Sequence, residues 1–123
     1  RSKKQLILED QTRIKYKILI LATGSSLNKL NAQEKNNHTM YLRDLDDCRS
    51  LREKLNSISD IGIIGSGYIG LEIAAVTKKL GKNVTIIEVE NRVMSRTASE
   101  LTADFYRKKH QAQGVNFMFN SNH

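Results

Sequence analysis

The sequence predicts an α/β fold, a parallel β-α-β-α-β sheet preceded by a β-hairpin, and three observations carry this prediction. From residue 60 onward, short apolar runs alternate with helical patterns. Glycines stand just after two of these helical patterns, at Gly81 and Gly114. Residues 5–24 contain two β-rich runs separated by a polar turn. Strands that alternate with helices usually pair in parallel through right-handed crossovers, so the second part should be a parallel sheet.

The predicted hairpin lies near the start of the chain. A polar turn around residues 10–13 separates its two runs, and the second run ends in Ala-Thr-Gly, small residues that let backbone pass close to another group. The polar, asparagine-rich stretch 25–38 has no apolar period and is predicted to be a surface connection. A domain boundary is therefore expected near residue 40, between 1–40 and 41–123.

A first helix is predicted from residue 44, with Asp44 as its N-cap. Apolar residues recur along it at spacings of three and four: Leu45, Cys48, Leu51 and Leu55. Cys48, the only cysteine, is expected to be a small buried helix residue. A single cysteine cannot form an internal disulfide, which fits a reducing, cytoplasmic compartment.

The remaining elements follow from residue 60. "DIGIIG" and "NVTIIEV" predict buried strands, and "VNFMF" predicts a third strand. The helix between the first two strands has an apolar stripe at helical spacing: Ile69, Ile73, Val76 and Leu80. The last helix is expected from about Ala98 to Gln113, because Thr97 and Glu100 have the spacing of a capping box.

The stretch "GSGYIG" has the spacing G-x-G-x-x-G between a predicted strand and a predicted helix. Gly65 would make the tight turn out of the strand, Gly67 would let a pyrophosphate approach the backbone, and Gly70 would let the helix pack close to the strand. The N–H groups and the positive dipole end of the helix would face the phosphates. The sequence therefore predicts one mononucleotide-binding half of a doubly wound, Rossmann-like fold.

Glu88 ends the second strand, about 18 residues beyond Gly70, where this motif has an acid that binds ribose. Its carboxylate can accept hydrogen bonds from both hydroxyls of the adenosine ribose, whereas a 2′-phosphate would bring two negative groups together. Charged hydrogen bonds contribute roughly 1.5–3 kcal/mol, so NAD(H) should bind about tenfold to hundredfold more tightly than NADP(H). A solvated glutamate at a strand end, beside Glu90, is the alternative.

The net charge of +7 and the pI of about 9.7 favour an anionic partner. The basic clusters are short and have no interleaved aromatic residues, so nucleic acid is not the expected partner. No stretch approaches the roughly 18 apolar residues of a membrane span. The three histidines, His38, His110 and His123, lie far apart without ligand-like spacing, so no metal site is predicted.

Several stretches together resemble the flavoprotein reductases that bind two dinucleotides: "ILILATGSS", "YLRDLDDCRSLREKL", "IGIIGSGYIGLEIAAVTKKLGKNVTIIEVENRVMSR" and "ADFYRKKHQAQGVNF". They are most similar to the NADH-dependent ferredoxin reductase components of bacterial aromatic-ring dioxygenases, with the rubredoxin and putidaredoxin reductases close behind. The resemblance implies an oxidoreductase in which NADH gives a hydride to FAD and the flavin passes single electrons to a ferredoxin-like iron–sulfur protein. It implies no catalytic side chain, since the hydride moves between cofactors.

The resemblance implies that the following residues bind NAD(H): Gly65, Gly67, Tyr68, Ile69, Gly70, Glu72, Glu88 and Arg96. Among them, Tyr68 and Ile69 would line the nicotinamide face. Glu72 would lie near the carboxamide, and Arg96 near the adenosine half. Each of three residues has a structural alternative: Ile69 as a core residue, Glu72 as an acid that complements the helix dipole, and Arg96 as solvated surface.

Thr23 and Gly24 match the second FAD-domain motif of the same family, so FAD is expected in the full-length protein. Leu27 and Asn28 stand where the family usually has a proline and an arginine close to FAD, which removes a cation. The family's FAD glycine motif and its later segments are absent, so the chain is expected to be an internal part of a longer reductase. Alone it should bind NAD(H) at best, and FAD poorly or not at all.

Two alternatives stay open at this point. One is an NADH-dependent nitrite reductase or NADH oxidase type of flavoprotein, which shares the fold and differs in electron acceptor. The other is a nucleotide-binding regulatory module without redox turnover, although Tyr68 and Glu72 on the nicotinamide side argue against it. The basic charge suits an acidic ferredoxin. The hairpin should make the isolated chain self-associate, since two strands alone are marginally stable.

Overall fold

The computed structural model describes residues 4–29 and 38–121 of the chain. The chain divides into two compact units, residues 1–39 and 40–123. Most of the connection predicted at residues 25–38 lies outside the described residues.

The first unit contains the predicted hairpin, in a shorter form. Strands β1 (Gln5–Ile7) and β2 (Arg13–Lys15) pair antiparallel, with Leu6 opposite Ile14. Residues 16–29 form neither helix nor strand, although they contain the apolar end of the second β-rich run. Several large apolar side chains in that stretch are more than three-quarters exposed: Ile18, Ile20 and Leu21. A two-stranded ribbon has no second layer to cover them, which explains why this run does not form a strand here.

The second unit has the element order that the sequence predicts. Its elements are α1 (Leu45–Leu55), β3 (Asp60–Ile64), α2 (Tyr68–Lys79), β4 (Asn83–Ile87), α3 (Glu100–Ala112) and β5 (Asn116–Met118). The three strands form a parallel sheet in the order β3-β4-β5. The α/β class with a hairpin and a parallel sheet is therefore confirmed.

The core of this unit lies around the central strand β4, where Val84 and Ile86 are buried. Strand β3 was predicted to be buried throughout, and that prediction is wrong, because its residues alternate between half-buried and exposed. Among the described residues β3 pairs only with β4, so it lies at an edge of the sheet. An edge strand lacks the neighbour that would cover it on its second side.

The buried face of α2 is not the apolar stripe found in the sequence. Leu71, Ala74 and Thr77 are buried, whereas the residues of that stripe are half-buried or exposed: Ile69, Ile73, Val76 and Leu80. Periodicity alone finds two apolar faces on this helix, and contact with the sheet decides which face is buried. The second apolar face is left at the surface of this unit.

The caps of two helices test the local predictions. Asp44 caps α1 as predicted, and its side chain accepts hydrogen bonds from the N–H groups of Asp46 and Asp47. Cys48 was expected to be buried and is exposed, because only Leu55 of the predicted apolar face of α1 is buried. For α3 the N-cap is Ser99 and not Thr97, so the helix begins two residues later than predicted.

His110 joins two helices of the unit. It is buried near the end of α3, with Nδ1 2.8 Å from the carbonyl oxygen of Tyr106 and Nε2 3.0 Å from that of Leu71 in α2. This contact holds α3 against the helix that follows the glycine motif. None of the helices in the part of the chain that the structure describes is long and apolar enough to cross a membrane.

Candidate functional site

The site is built around the turn that connects β3 to α2. Gly65 has a φ of +96°, in the region that favours glycine over residues with a Cβ. Its N–H donates to the carbonyl of Ile87 at 2.8 Å, which holds the turn against the end of β4. The tight turn predicted for Gly65 is confirmed.

Gly70 is where the backbones of α2 and the turn come closest. A Cβ added to Gly70 would lie 2.2 Å from the carbonyl oxygen of Gly65 and 3.5 Å from Cγ2 of Ile63. The carbonyl oxygen of Gly65 is a backbone atom, so it cannot move aside as the end of a flexible side chain could. The close packing of helix on strand predicted for Gly70 is confirmed.

The N-terminus of α2 differs from those of the other two helices. Asp44 and Ser99 cap α1 and α3 with their side chains, but Gly67, the N-cap of α2, makes no such bond. The first turn of α2 contains no acidic residue, whereas the first turn of α1 has two and that of α3 has one. Its first N–H groups and the helix dipole therefore remain available to an anion. A Cβ added to Gly67 would meet no atom within 4 Å, so the space in front of this turn is open.

The carboxylate of Glu88 lies beside this turn and is held by hydrogen bonds. Its Oε2 accepts from the N–H of Ser66 at 2.8 Å and from the Ser66 hydroxyl at 2.5 Å. Its Oε1 accepts from the N–H of Glu90 at 3.0 Å. The interpretation of Glu88 as a merely solvated strand-end residue does not fit this fixed position.

The same contacts set the charge of Glu88. Partial burial raises the pKa of its carboxyl, but the hydrogen bonds from Ser66, Glu90 and Val89 together outweigh burial and hold the pKa below its ordinary value. Glu88 is therefore an anion at neutral pH. A fixed anion at this place can accept hydrogen bonds from ligand hydroxyls and repels a phosphate.

A loop from residue 91 to 98 lies against the glycine turn. The N–H of Met94 donates to the carbonyl of Ser66 at 3.1 Å. The loop is folded on the guanidinium of Arg92, which donates to the carbonyls of Ala98 at 3.0 Å and Ser95 at 2.8 Å. Arg96 extends from this loop with an 84% exposed side chain, 3.9 Å from the carboxylate of Glu90.

The remaining candidate residues lie in two places. Tyr68, Ile69 and Glu72 are exposed on α2, beyond the glycine turn. The alternative of Ile69 as a core residue is therefore wrong, and Glu72 lies outside the first turn in which an acid complements the dipole. Thr23 and Gly24 lie in the first unit, where both are exposed and Gly24 has a φ of +75°.

Sequence reasoning missed Ser66 and Met94. In "GSGYIG" the serine stands at a variable position of the motif, so its type carries no signal. Its partners Glu88 and Met94 are distant in sequence, and only the fold brings them together.

Comparison with known proteins decides the family. The pattern of the pyridine nucleotide-disulphide oxidoreductases matches residues 1–123. The chain belongs to this family. The predicted membership in the FAD- and NAD-dependent flavoprotein reductases is confirmed, and the family is one of oxidoreductases.

Individual relatives agree with this assignment. The chain is 36% identical over 122 residues to the ferredoxin–NAD(+) reductase component of the 3-phenylpropionate/cinnamic acid dioxygenase of Photorhabdus laumondii, covering 98% of this chain and 31% of that protein. Among solved structures it matches a ferredoxin reductase from Rhodopseudomonas palustris, with a TM-score of 0.81, 30% identity and coverage of 98% of this chain and 30% of that one.

A second solved structure is putidaredoxin reductase in its covalent complex with putidaredoxin. The match has a TM-score of 0.79 and 33% identity, and covers 98% of this chain and 30% of the reductase. The chain thus spans about a third of the length of the relatives it matches, for example 31% of the reductase component from Photorhabdus.

Proposed function

We propose that this chain is the NAD(H)-binding part of an NADH-dependent flavoprotein reductase of the ferredoxin reductase type. The observation that carries the proposal is the pairing of an uncapped helix N-terminus with a fixed, ionised Glu88 at the adjoining strand end. The first attracts a pyrophosphate and the second accepts hydrogen bonds from a ribose. The division of the chain into two units near residue 40 fits this assignment.

The other candidate residues extend the same binding mode. Tyr68, Ile69 and Glu72 follow the glycine turn on an exposed face of α2, where a nicotinamide could lie against them. Arg96 would contribute to the adenosine half. When bound, the cofactors supply the redox chemistry, a hydride transfer from NADH to FAD followed by single-electron transfer, so these side chains bind and orient.

In the longer protein, FAD would be the second cofactor, and Thr23 and Gly24 would belong to its binding motif. The electron acceptor would be a ferredoxin-like iron–sulfur protein, and the net charge of +7 suits an acidic partner of this kind. NADH-dependent ferredoxin reduction by the longer protein should slow as salt concentration rises. A rate independent of salt would contradict charge-guided docking, and reduction of oxygen alone would favour an oxidase.

Replacement of Gly67 by alanine tests the pyrophosphate site. The added Cβ meets open space in the free chain, so the free energy of unfolding should fall by only about 1 kcal/mol, the scale of an N-cap change. The same methyl would occupy the space that the phosphates need. Calorimetric titration should therefore show NADH affinity falling by about tenfold or more, which corresponds to about 1.4 kcal/mol.

Gly62→Ala is the matched control, since its added Cβ also meets open space, within β3 and away from the turn. It should leave NADH affinity unchanged. If Gly67→Ala binds NADH as tightly as the natural chain does, the pyrophosphate does not lie on this turn.

The isolated chain should also self-associate through its hairpin unit. Ile18, Ile20 and Leu21 are more than three-quarters exposed there, and β1 and β2 each pair on one side only within the described residues. Such edges and apolar surfaces pair with a second copy. Size-exclusion elution should shift to larger size as concentration rises, and a monomer over the whole range would contradict this.

A further inference from the structure

We propose that Ser66 is a positioning residue for Glu88, and that its buried hydroxyl makes the site select NAD(H) over NADP(H). This inference rests on the proposed function, because it names the residue that sets the selectivity of the same site. Ser66 stands inside the glycine motif at a position where the motif itself demands no particular side chain.

Ser66 is fully buried, and its polar groups make their hydrogen bonds within the protein. Its N–H and hydroxyl both donate to Oε2 of Glu88, at 2.8 and 2.5 Å, and its carbonyl accepts from the N–H of Met94 at 3.1 Å. All of its polar groups are thus used within the protein, so the hydroxyl is not available to a phosphate. It acts on a ligand through Glu88.

The contacts also determine which oxygen of Glu88 faces a ligand. A carboxylate has about four acceptor positions, two on each oxygen. Ser66 fills both positions of Oε2, while Oε1 accepts from the N–H of Glu90 at 3.0 Å. Because Ser66 occupies Oε2, the geometry assigns the ribose hydroxyl to Oε1.

A fixed Glu88 carboxylate discriminates more strongly between NAD(H) and NADP(H) than a mobile one does. A free glutamate can rotate away from a 2′-phosphate and so avoid the repulsion. Glu88 cannot do so without breaking two hydrogen bonds to Ser66, and its side-chain entropy is already lost before the ligand arrives. The natural chain should therefore bind NADH well and NADPH poorly for a single structural reason.

The ionisation of Glu88 supplies an independent readout. Burial raises the pKa of this carboxyl, and the Ser66 hydroxyl contributes the largest opposing effect. Without that hydroxyl the folded pKa should rise, so the anionic form is lost at a higher pH than in the natural chain. A role of Ser66 in packing alone would not move this titration.

The test compares the natural chain with Ser66→Ala by calorimetric titration with NADH and NADPH between pH 5 and 8. The ratio of the two affinities should fall about tenfold in Ser66→Ala, and as the pH is lowered its NADH affinity should begin to weaken at a higher pH than that of the natural chain. Thr77→Val is the matched control, because it also removes a buried hydroxyl, one that donates only to carbonyls within α2. It should leave the ratio and the pH profile unchanged.

Unchanged selectivity and pH profile in a folded Ser66→Ala chain would overturn the inference while leaving the proposed function intact. Absence of NADH binding by the natural chain would contradict the proposed function and the selectivity together. The contact is tested separately by following the Glu88 carboxyl by NMR as a function of pH without ligand. Its titration midpoint should rise in Ser66→Ala or in Ser66→Gly, and an unmoved midpoint in both would contradict the contact itself.

Discussion

Gly70→Ala should destabilise the unit of residues 40–123 by about 2–4 kcal/mol, the range of a severe overpacking change. The new Cβ would lie 2.2 Å from the carbonyl oxygen of Gly65. Real Cβ atoms do not approach other atoms so closely, so α2 must move away from β3 or the turn must open. Either movement disturbs the N-terminus of the helix and the position of Ser66, and NADH binding should be lost as well.

The sign of the change in the free energy of unfolding shows whether tertiary contact or local helix propensity dominates at Gly70. In an isolated helix, alanine is more favourable than glycine by about 1 kcal/mol, so local propensity alone predicts that Gly70→Ala stabilises the chain. Urea denaturation of the natural chain and the variant would measure the difference in the free energy of unfolding. Gly67→Ala, whose added Cβ meets open space, controls for the general effect of a methyl near this turn. Equal or greater stability of Gly70→Ala would show that α2 does not pack on the turn as described.

Glu88→Gln should abolish most of the discrimination between the two cofactors. Glutamine keeps the size of the side chain and one acceptor oxygen, but it removes the negative charge that repels a 2′-phosphate. The affinity for NADH should fall about tenfold, because a charged hydrogen bond becomes a neutral one. NADPH affinity should change little or rise. Glu100→Gln, which removes a charge from the exposed first turn of α3, is the control and should leave the ratio of affinities unchanged.

The same substitution has a consequence for stability as a function of pH. The folded pKa of Glu88 is lowered from 4.5, so its contribution to stability is fully present above that unfolded value and is lost as the pH falls through the folded pKa. The difference in the free energy of unfolding between the natural chain and Glu88→Gln should therefore shrink as the pH falls below about 4.5, which acid denaturation would measure. A stability difference that stays constant from neutral pH to well below the folded pKa would contradict the hydrogen-bonded anion.

Local sequence signals predicted the parts of the structure that depend on near neighbours. The N-cap at Asp44, the turn at Gly65 and the helix stop at Gly114 are fixed by backbone geometry within a few residues. The acid at Glu88 was found because its distance from the glycine motif follows from the length of one helix and one strand. These features needed no knowledge of packing.

The features that the sequence did not predict depend on which surfaces meet. Two apolar faces of α2 have similar periodicity, and only contact with the sheet shows that Leu71 and Ala74 are the buried ones. Cys48 is exposed, and Leu55 is the one buried residue of α1 in the part of the chain that the structure describes. The bond from Ser66 to Glu88 joins residues 22 positions apart, and that from His110 to Leu71 joins residues 39 positions apart. Such pairs become visible only in the folded chain.

The central claim, that the glycine turn and Glu88 together form a site for NAD(H), is tested most directly by calorimetric titration of the natural chain with NADH and with NADPH at one ionic strength. The fixed anion at Glu88 predicts saturable binding of NADH that is about tenfold to hundredfold tighter than that of NADPH. Equal affinity for the two cofactors, or no binding of NADH by a chain whose circular dichroism shows it to be folded, would contradict the claim.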